Sequence, residues 1–440
     1  MLCISPRSNG VWRKKGTMPA PMFGSGLTPR FASPPVDTAD PVEVITQEAG
    51  IRTSIGQTLR ITALVKEDEL VNQGAPLACL RDMPHVQFVA PMPGRVARIS
   101  LQPGRKLSEI VLFRETGGDV VRHDRASATT EPDLRHLMQN AGLWPWLRRR
   151  PFGGMPAEDE RPAAIVVMAV DTRPFAPDPR QALADRHEAF ARGLQALTLL
   201  TDGPVLVCQQ SGPPLFEAGL ANGRVRAVDC GARHPQGSAG IRIHALAPAT
   251  IETPVWDIHA EDVAALGDLL ATGVLAMTRL VRVAGAGLRE SRLIRTQPGA
   301  DLRELTHRAV APGAHMLMSG SPLDGHDAHW LAPRHRQITV LPRQQKGKPP
   351  HWFVAALTHS GLPKPVIPTA ALTHAFGAAL PAVPFVRALS SGDDEMAMKL
   401  GVLSLLEEDL GLADYVLGGD AQLAELLRGM LDRIRTEFAA

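Results

Sequence analysis

Residues 140–179 decide the fold of this chain: NAGLWPWLRRRPFGGMP (140–156) and, after a polar break, PAAIVVMAVDTRPFAPDP (162–179). The pattern predicts a helix that ends in an arginine cluster, a Gly-Gly turn, a buried strand and an acidic loop. In an open α/β sheet, ligands bind in the crevice beyond the carboxyl ends of the strands. The stretch therefore predicts an α/β domain with a candidate ligand crevice next to the loop at 171–175.

The composition predicts a cytosolic protein of several domains. The chain has 440 residues, 44% of them hydrophobic, which suits about three or four domains. Lysine and arginine number 47 against 45 acidic residues, so the net charge of +2 does not favour nucleic acid as a partner. Four scattered cysteines without a CxxC pair indicate a reducing compartment. No apolar run approaches the ~18 residues of a membrane helix, and the N-terminus lacks a signal core, with Met18 as an alternative start.

Further elements around the opening stretch extend the α/β domain over residues 128–255. A helix is predicted from Glu131 to Leu147 and another from Pro179 to Leu200, and strands are predicted at PVLVC (204–208) and GRVRAVDC (223–230). This order predicts a Rossmann-like unit. No GxGxxG turn is present, so nothing indicates dinucleotide phosphates on a helix N-terminus.

The chain before this domain is rich in short strands. Residues 1–40 are predicted to be an extended segment, and residues 41–127 contain ITALVKEDELVNQGAPLACL (61–80) and VQFVAPMPGRVARISLQPGRKLSEIVLFR (86–114). The two half-motifs resemble the biotinyl/lipoyl-carrier fold. A carrier needs a lysine at the hairpin tip, but residues 81–85 are RDMPH. We therefore expect a structural role for this β domain.

Three further units are predicted after the α/β domain. Residues 256–280 show helical spacing of apolar side chains and are predicted to be a helix that links domains. Residues 281–360 contain two strands, a Pro-Gly turn, a short helix and a Ser-Gly-Ser turn, an order typical of a β-grasp unit, with a basic loop at 343–370. Residues 361–440 are predicted to be a helical domain.

Two groups of histidines leave metal binding open as an alternative. His234 and His244 lie ten residues apart, and His326, His329 and His335 fall within ten residues. Glycine and proline interrupt the second group, which breaks the fixed geometry that a helical HxxxH pair would have. We predict no metal site, and expect His234 to cap a tight turn with His244 hydrogen-bonded beneath it.

Six segments in order make the chain resemble the NqrA family, a subunit of the sodium-translocating NADH:quinone oxidoreductase. They are GLWPWLRRRPF (142–152), DTRPFAPDP (171–179), HPQGSAGIRIH (234–244), RLIRTQPGADLRELT (292–306), SGSPLDG (319–325) and LEEDLGLADYV (406–416). The resemblance covers nearly everything after residue 40. It implies a multidomain α/β plus β fold: a carrier-like (barrel-sandwich) β domain, a Rossmann-like α/β domain, a β-grasp (SLBB/ubiquitin-like) domain and C-terminal helices. More distantly, the chain is similar to the RnfC protein of the Rnf complex and to the flavin-bearing peripheral subunit of complex I.

The resemblance also bears on cofactors. In the distant relatives a glycine-rich loop cradles the flavin phosphate at the position of Trp144 to Pro156, where only Gly153 and Gly154 remain as glycines here. No cysteine follows Cys230, so the cysteine-ligated iron–sulfur cluster of those relatives has no ligands. The turn after Tyr415 also lacks the cysteine that NqrA proteins usually have there. We therefore expect no tightly bound cofactor in this chain and ubiquinone as the candidate ligand.

The resemblance implies a cytoplasmic peripheral subunit, attached to the inner membrane through the membrane-embedded subunits of an NQR/Rnf-like complex. Its expected roles are assembly and quinone binding. The alternative is an NqrA-like scaffold that serves a different redox complex with another electron donor or acceptor. A third hypothesis, a self-contained flavoenzyme, is disfavoured by the missing glycine loop.

The candidate quinone or residual-flavin crevice combines aromatic rings, an apolar face for a ring ligand, with arginines that donate to a carbonyl oxygen. Its predicted residues are Arg149, Phe152, Asp171, Arg173 and Phe175. For each residue alone the alternative is structural: Arg173 pairs with a nearby carboxylate, and Phe152 fills a core.

Overall fold

Four β-sheets and a set of C-terminal helices form the part of the chain that the computed structural model describes: residues 25–36, 40–53, 57–124, 128–343, 369–419 and 421–438. Met18, the first 24 residues of the N-terminal segment and most of the basic loop at 343–370 lie outside this part. Among the described residues, no helix combines the length and apolar composition that a membrane crossing requires.

The N-terminal β domain is built from two antiparallel sheets. Its strands are β2 Glu48–Ile51, β3 Ile61–Ala63, β4 Leu70–Val71, β5 Pro76–Leu80, β6 Gln87–Val89, β7 Gly94–Gln102 and β8 Lys106–Arg114. The sheets have the orders β2-β8-β7-β4 and β3-β5-β6. Alternate side chains such as Ile61, Ile110 and Leu112 point inward and are fully buried. The predicted carrier-like β fold is confirmed.

The α/β domain follows with a five-stranded sheet. Its elements are α1 Glu131–Asn140, β9 Arg148–Arg150, β10 Ala164–Ala169, α2 Pro179–Ala182, α3 His187–Leu197, β11 Val205–Gln210, β12 Val225–Cys230, α4 Ala239–Leu246, β13 Val255–His259 and α5 Ala260–Thr272. The order is β12-β11-β10-β13-β9, with β9 antiparallel and the other four strands parallel. Strand β10 is buried along its whole length, as expected for a central strand covered by helices on both faces.

The arginine cluster is a strand and not a helix end, which corrects the sequence-based prediction. Helix α1 ends at Asn140, and Pro145 lies in a single 3₁₀ turn before β9. In β9 the arginines alternate between the two faces of the sheet: Arg149 pairs with Glu160 at 2.9 Å, and Arg150 pairs with Asp257. The Arg150–Asp257 pair joins β9 to β13, a tertiary contact that the local helical spacing did not indicate.

The predicted linker helix at 256–280 is also corrected. Residues 255–259 form β13, which is hydrogen-bonded between β10 and β9, and only residues 260–272 are helical. Helix α5 packs on α3 inside the same domain. Trp256 and Ile258 are fully buried at a spacing of two residues, which suits a strand, but the buried residues Val263, Leu266 and Leu269 that follow have helical spacing and suggested one continuous helix. Residues 240–244 (GIRIH) are part of helix α4.

The β-grasp domain has a six-stranded mixed sheet. Its elements are β14 Arg279–Ala284, β15 Arg292–Thr296, α6 Leu302–Thr306, β16 His315–Ser319, β17 His326–Asp327 and β18 Gln337–Pro342. The order is β1-β15-β14-β18-β16-β17, where β1 is Val42–Glu43. Strand β1 pairs with β15, so the chain joins the β-grasp sheet before it enters the β domain to which residue 41 was assigned. Asp301 caps α6 by accepting from the N–H of Arg303 at 2.9 Å.

The C-terminal helices and the N-terminal segment complete the structure. The helices are α7 Ala370–Ala375, α8 Ala382–Ser391, α9 Asp394–Lys399, α10 Gly411–Val416 and α11 Leu423–Phe438. Leu427, Leu431 and Ile434 form a buried stripe on α11. Residues 25–36 run extended over the other domains, with bridges from Leu27 to His234 and from Val36 to Ser291.

Candidate functional site

A cavity of about 800 Å³ lies where the four domains meet. Its wall contains Met168 and Val170 from the carboxyl end of β10, and His259 from the end of β13. From β10 the chain continues to β11 and β12 on one side, whereas β13 lies on the other side. The cavity therefore lies at the topological switch point of the sheet, where open α/β folds bind ligands.

Two of the five predicted site residues line this cavity. Asp171 follows β10 directly, and Arg173 comes two residues later. The Arg173 guanidinium donates to Asp171 at 3.0 Å and, through Nη1, to Asp324 of the β-grasp domain at 2.9 Å. Burial opposes the charge on Asp324, but the charge of Arg173 together with His335 and the hydrogen bonds from Ser321 and Arg173 outweighs it and holds the pKa of that carboxyl at about 2.

The other three predicted residues lie outside the cavity wall. Arg149 points to the opposite face of β9 and pairs with Glu160. Phe152, with φ +76°, packs in the core of the C-terminal helices. Phe175, with φ +65°, has its ring 6.4 Å from that of Phe31. Ligand binding by the five-residue set remains a prediction.

Salt bridges to carboxylates hold arginines of the cavity wall. Arg148 pairs with Glu408 of the C-terminal helices, and Arg428 donates through Nη2 to Glu407 at 2.6 Å. Arg334 lies 3.7 Å from Asp257 of β13. These ion pairs join the α/β domain, the β-grasp domain and the helices, so they have a structural role.

Asp409 binds the C-terminal helices to the α/β domain. Its fully buried carboxylate accepts from the N–H of Gly240 at 3.0 Å, at the start of α4, and from the N–H of Leu406 at 2.9 Å. Arg150, also fully buried, lies 3.6 Å from it. Burial raises the pKa of Asp409 to about 6 despite this cation.

The helix N-termini at the cavity already have acidic partners. Asp409 occupies the start of α4, and α5 has Glu261 and Asp262 in its first turn. Both acids pair with Arg336, at 3.2 Å and 2.8 Å. The wall as a whole contains seven carboxylate side chains and five arginines. This arrangement does not favour an anionic ligand such as a nucleotide phosphate.

Two histidines of the wall are uncharged and are hydrogen-bonded through Nδ1, whereas the arginines are charged and form ion pairs. The Nδ1 atom of His259 accepts from the N–H of Glu261 at 3.2 Å, so His259 caps α5. The Nδ1 atom of His335 is 2.8 Å from Ser319 Oγ, which accepts from the N–H of Ala332 at 2.9 Å. Burial lowers the pKa of His259 to about 3 and that of His335 to about 4, so both rings are neutral near pH 7.

Sequence reasoning missed several residues of the wall for identifiable reasons. His259 ends a buried strand just as Asp171 follows one, but the strand was interpreted as a helix. Glu408 comes from a helical segment more than 200 residues away, and no local pattern connects it with Arg148. The rings of His326 and His335 lie 5.5 Å apart, yet within the described residues no group of three histidine, cysteine or acidic side chains is arranged to hold a metal ion.

Family models match three successive parts of the chain. They are the NqrA N-terminal barrel-sandwich hybrid domain at 33–115, the NqrA second alpha/beta domain at 129–275 and the NQRA C-terminal domain at 280–329. The NqrA protein of the Na(+)-translocating NADH-quinone reductase from Teredinibacter turnerae is 32% identical over 414 residues, 86% of this chain and 91% of the relative. The chain belongs to the NqrA family.

Further relatives agree with this assignment to the NqrA family. The corresponding proteins of the Na(+)-translocating NADH-quinone reductases from Photorhabdus laumondii and Neisseria gonorrhoeae are 33% and 32% identical, each over 86% of this chain and 91% of the relative. Among solved structures, an NAD⁺-reducing [NiFe]-hydrogenase covers 69% of this chain and 63% of its own, at 13% identity and a TM-score of 0.38. Similarity at that level adds nothing to the assignment. The predicted family and fold class are thus confirmed.

Proposed function

We propose that this chain is the peripheral NqrA component of a Na⁺-translocating NADH-quinone reductase, and that its central cavity binds the ring of ubiquinone. The protein is cytoplasmic and attaches to the inner membrane through membrane-embedded partner subunits. Support for this role comes from the relatives, which are named as components of that reductase and match 86% of the chain. Electron entry and ion translocation then belong to the partners.

The observation that carries quinone binding is the cavity at the switch point of the sheet. Its volume of about 800 Å³ is within the usual range for small-molecule sites, and Phe88, Trp146, Met155 and Met277 give it apolar surface. A quinone ring needs apolar contact over its faces and hydrogen-bond donors at its two carbonyl oxygens. An uncharged ligand of this kind also suits a wall in which four of the five arginines pair with carboxylates.

The structure gives a physical reason to propose that the chain holds no flavin of its own. Trp144 is fully buried, donates through Nε1 to the carbonyl of Pro156 at 3.0 Å and packs edge-on against Trp256 at 5.5 Å. The Trp144 indole thus fills the space beside Trp256 of β13. Only Gly153 and Gly154 of this segment present backbone in the cavity wall without a side chain. We likewise propose no iron–sulfur cluster and no metal cofactor.

Within the predicted set Arg149, Phe152, Asp171, Arg173 and Phe175, we propose that Asp171 and Arg173 are the residues next to the ligand. Arg173 is held by two carboxylates, and its remaining N–H groups are at the cavity wall. The other three lie outside the cavity wall: Arg149 pairs with Glu160, Phe152 packs in the core of the C-terminal helices and Phe175 lies beside Phe31.

Copurification tests the role in the complex. A tagged chain, co-expressed with the membrane-embedded subunits of an NADH-quinone reductase, is expected to purify with them from detergent-solubilised membranes. Recovery of the chain with the membrane subunits of a different redox complex in its native host, and not with these, would favour the alternative of a scaffold serving another donor or acceptor. The matched control is the same experiment with the tag on an unrelated cytoplasmic protein.

A further inference from the structure

The strongest unassigned feature of the cavity is a neutral donor with a fixed orientation. Backbone N–H groups only donate, so the contact from the N–H of Glu261 requires a lone pair on Nδ1 of His259. A neutral imidazole with its lone pair on Nδ1 has its hydrogen on Nε2. Residue 259 is therefore held in one tautomer, as an Nε2–H donor, by the helix that it caps.

The Nε2–H group of His259 is left for a ligand. His259 is in the cavity wall, and among the described residues no hydrogen bond involves its Nε2 atom. Burial is the main cause of the lowered pKa of His259, and two arginines, Arg336 and Arg173, and two carboxylates, Asp262 and Asp171, act on it in opposite directions. Charges of both signs therefore surround this ring.

His335 is arranged in the same way on the β-grasp side of the cavity. Ser319 Oγ accepts from the N–H of Ala332 and lies 2.8 Å from Nδ1 of His335, and we assign the hydroxyl hydrogen to this second contact, with Nδ1 as its acceptor. This assignment again leaves the ring hydrogen on Nε2. The cavity thus has two neutral imidazole donors, one on each of two domains, beside arginines that carboxylates already neutralise.

We propose that His259 is a positioning residue that donates from Nε2–H to one carbonyl oxygen of the bound quinone, and that His335 donates to a second acceptor oxygen of the same ligand. This inference rests on the proposed quinone binding. It adds that the site selects uncharged rings with carbonyl acceptors, since a neutral donor pair offers nothing to compensate a phosphate or carboxylate charge.

One substitution can separate the two roles of His259, the cap of helix α5 and the proposed contact with the ligand. His259→Asn keeps an oxygen that accepts from the N–H of Glu261, because asparagine is a favourable N-cap residue. Its side chain is too short to carry a donor to the position of the imidazole Nε2. We expect an unchanged fold and a roughly tenfold weaker binding of ubiquinone-1, the value of one hydrogen bond of about 1.4 kcal/mol. The matched control is His85→Asn, a histidine on the β domain with 58% of its side chain exposed.

A measurement on the unmodified chain complements the variant. In ¹⁵N-histidine-labelled protein, the ring-nitrogen shifts are expected to show the Nε2–H tautomer for His259 before ligand is added. The Nε2-bound proton should then move downfield on titration with ubiquinone-1. Assignment of this signal comes from its loss in His259→Asn.

The outcomes distinguish this inference from the proposed function. Binding by the unmodified chain and His85→Asn, with tenfold weaker binding by a folded His259→Asn, supports both. If His259→Asn binds ubiquinone-1 as tightly as the unmodified chain, the role of His259 is overturned and quinone binding remains supported. The same follows if the chemical shift of the Nε2-bound proton stays constant while the chain becomes saturated with ubiquinone-1. Absence of ubiquinone-1 binding by the unmodified chain overturns both.

Discussion

The arginines and the histidines of the cavity wall differ in how they are bonded. Arg148, Arg173 and Arg428 are held by carboxylates, two of them from other domains than the arginine itself. His259 and His335 are held at Nδ1 only, and the other ring nitrogen has no partner among the described residues. The difference indicates that the charged groups assemble the cavity and the neutral groups meet the ligand.

The first way to break this comparison is to remove a fully buried arginine, Arg150 of β9. Arg150→Met removes the cation beside Asp409 and leaves Asp257 with only Arg334, at 3.7 Å, in a site with no exposed surface at Arg150. Removing one partner of a buried ion pair typically costs about 3–5 kcal/mol, and we expect a loss of that size in urea denaturation. As a control, Arg433→Met removes an exposed pair with Asp394 and should cost less than about 1 kcal/mol. Similar losses in both variants would contradict the structural role of the buried pairs.

The buried histidines give a second prediction through pH. Burial lowers the pKa values of His234, His259 and His335 from 6.5 to about 4, 3 and 4, so below pH 6.5 the unfolded chain binds protons that the folded chain does not. Asp409 contributes to the pH dependence of stability with the opposite sign, because its pKa is raised from 3.8 to about 6, so the folded chain binds this proton more tightly than the unfolded chain. The difference is roughly two protons, so we expect the free energy of unfolding to be about 2.5 kcal/mol lower at pH 5 than at pH 6.

The measurement for this prediction is urea denaturation at the two pH values. Stability that stays constant or rises on acidification from pH 6 to pH 5 would show that the histidines are charged in the folded chain. The claim that the histidines of the cavity wall are neutral would then be wrong.

The smallest effect is expected at the residue that orients His335. Ser319→Ala removes the fully buried hydroxyl that holds Nδ1, at an expected cost of about 1 kcal/mol in stability. The freed ring still spends much of its time as the Nε2–H tautomer, so ubiquinone-1 affinity should fall by less than about threefold. A loss of affinity larger than that of His259→Asn would place the main ligand contact at His335.

The fold could be predicted to the extent that local patterns specify it. Alternation in residues 61–114 indicates strands, and the apolar run of β10 is short and rich in β-branched residues, which favours a strand; both were predicted. The segment 255–259 fits a strand or a helix, and only its pairing with β10 and β9 decides between them. Tertiary contacts also decide the structure of residues 148–150, since their arginines pair with carboxylates that are distant in the sequence.

The site was predictable in part for the same physical reason. Asp171 and Arg173 follow a buried strand, and the rule for strand ends in α/β sheets placed them at the crevice. His259 also stands at the carboxyl end of a buried strand, but the sequence did not predict it as a site residue because that strand was predicted to be a helix. Glu408 and His335 reach the cavity from other domains, and their positions depend on tertiary contacts that leave no local trace in the sequence.

Titration calorimetry of the whole chain tests the central claim most directly. We predict saturable one-to-one binding of ubiquinone-1, with an affinity that hardly changes between 0.05 and about 0.5 M salt because the ligand is uncharged, and no binding of flavin mononucleotide. Tighter binding of flavin mononucleotide than of ubiquinone-1, weakened by salt, would contradict the claim that the cavity is a site for a neutral quinone.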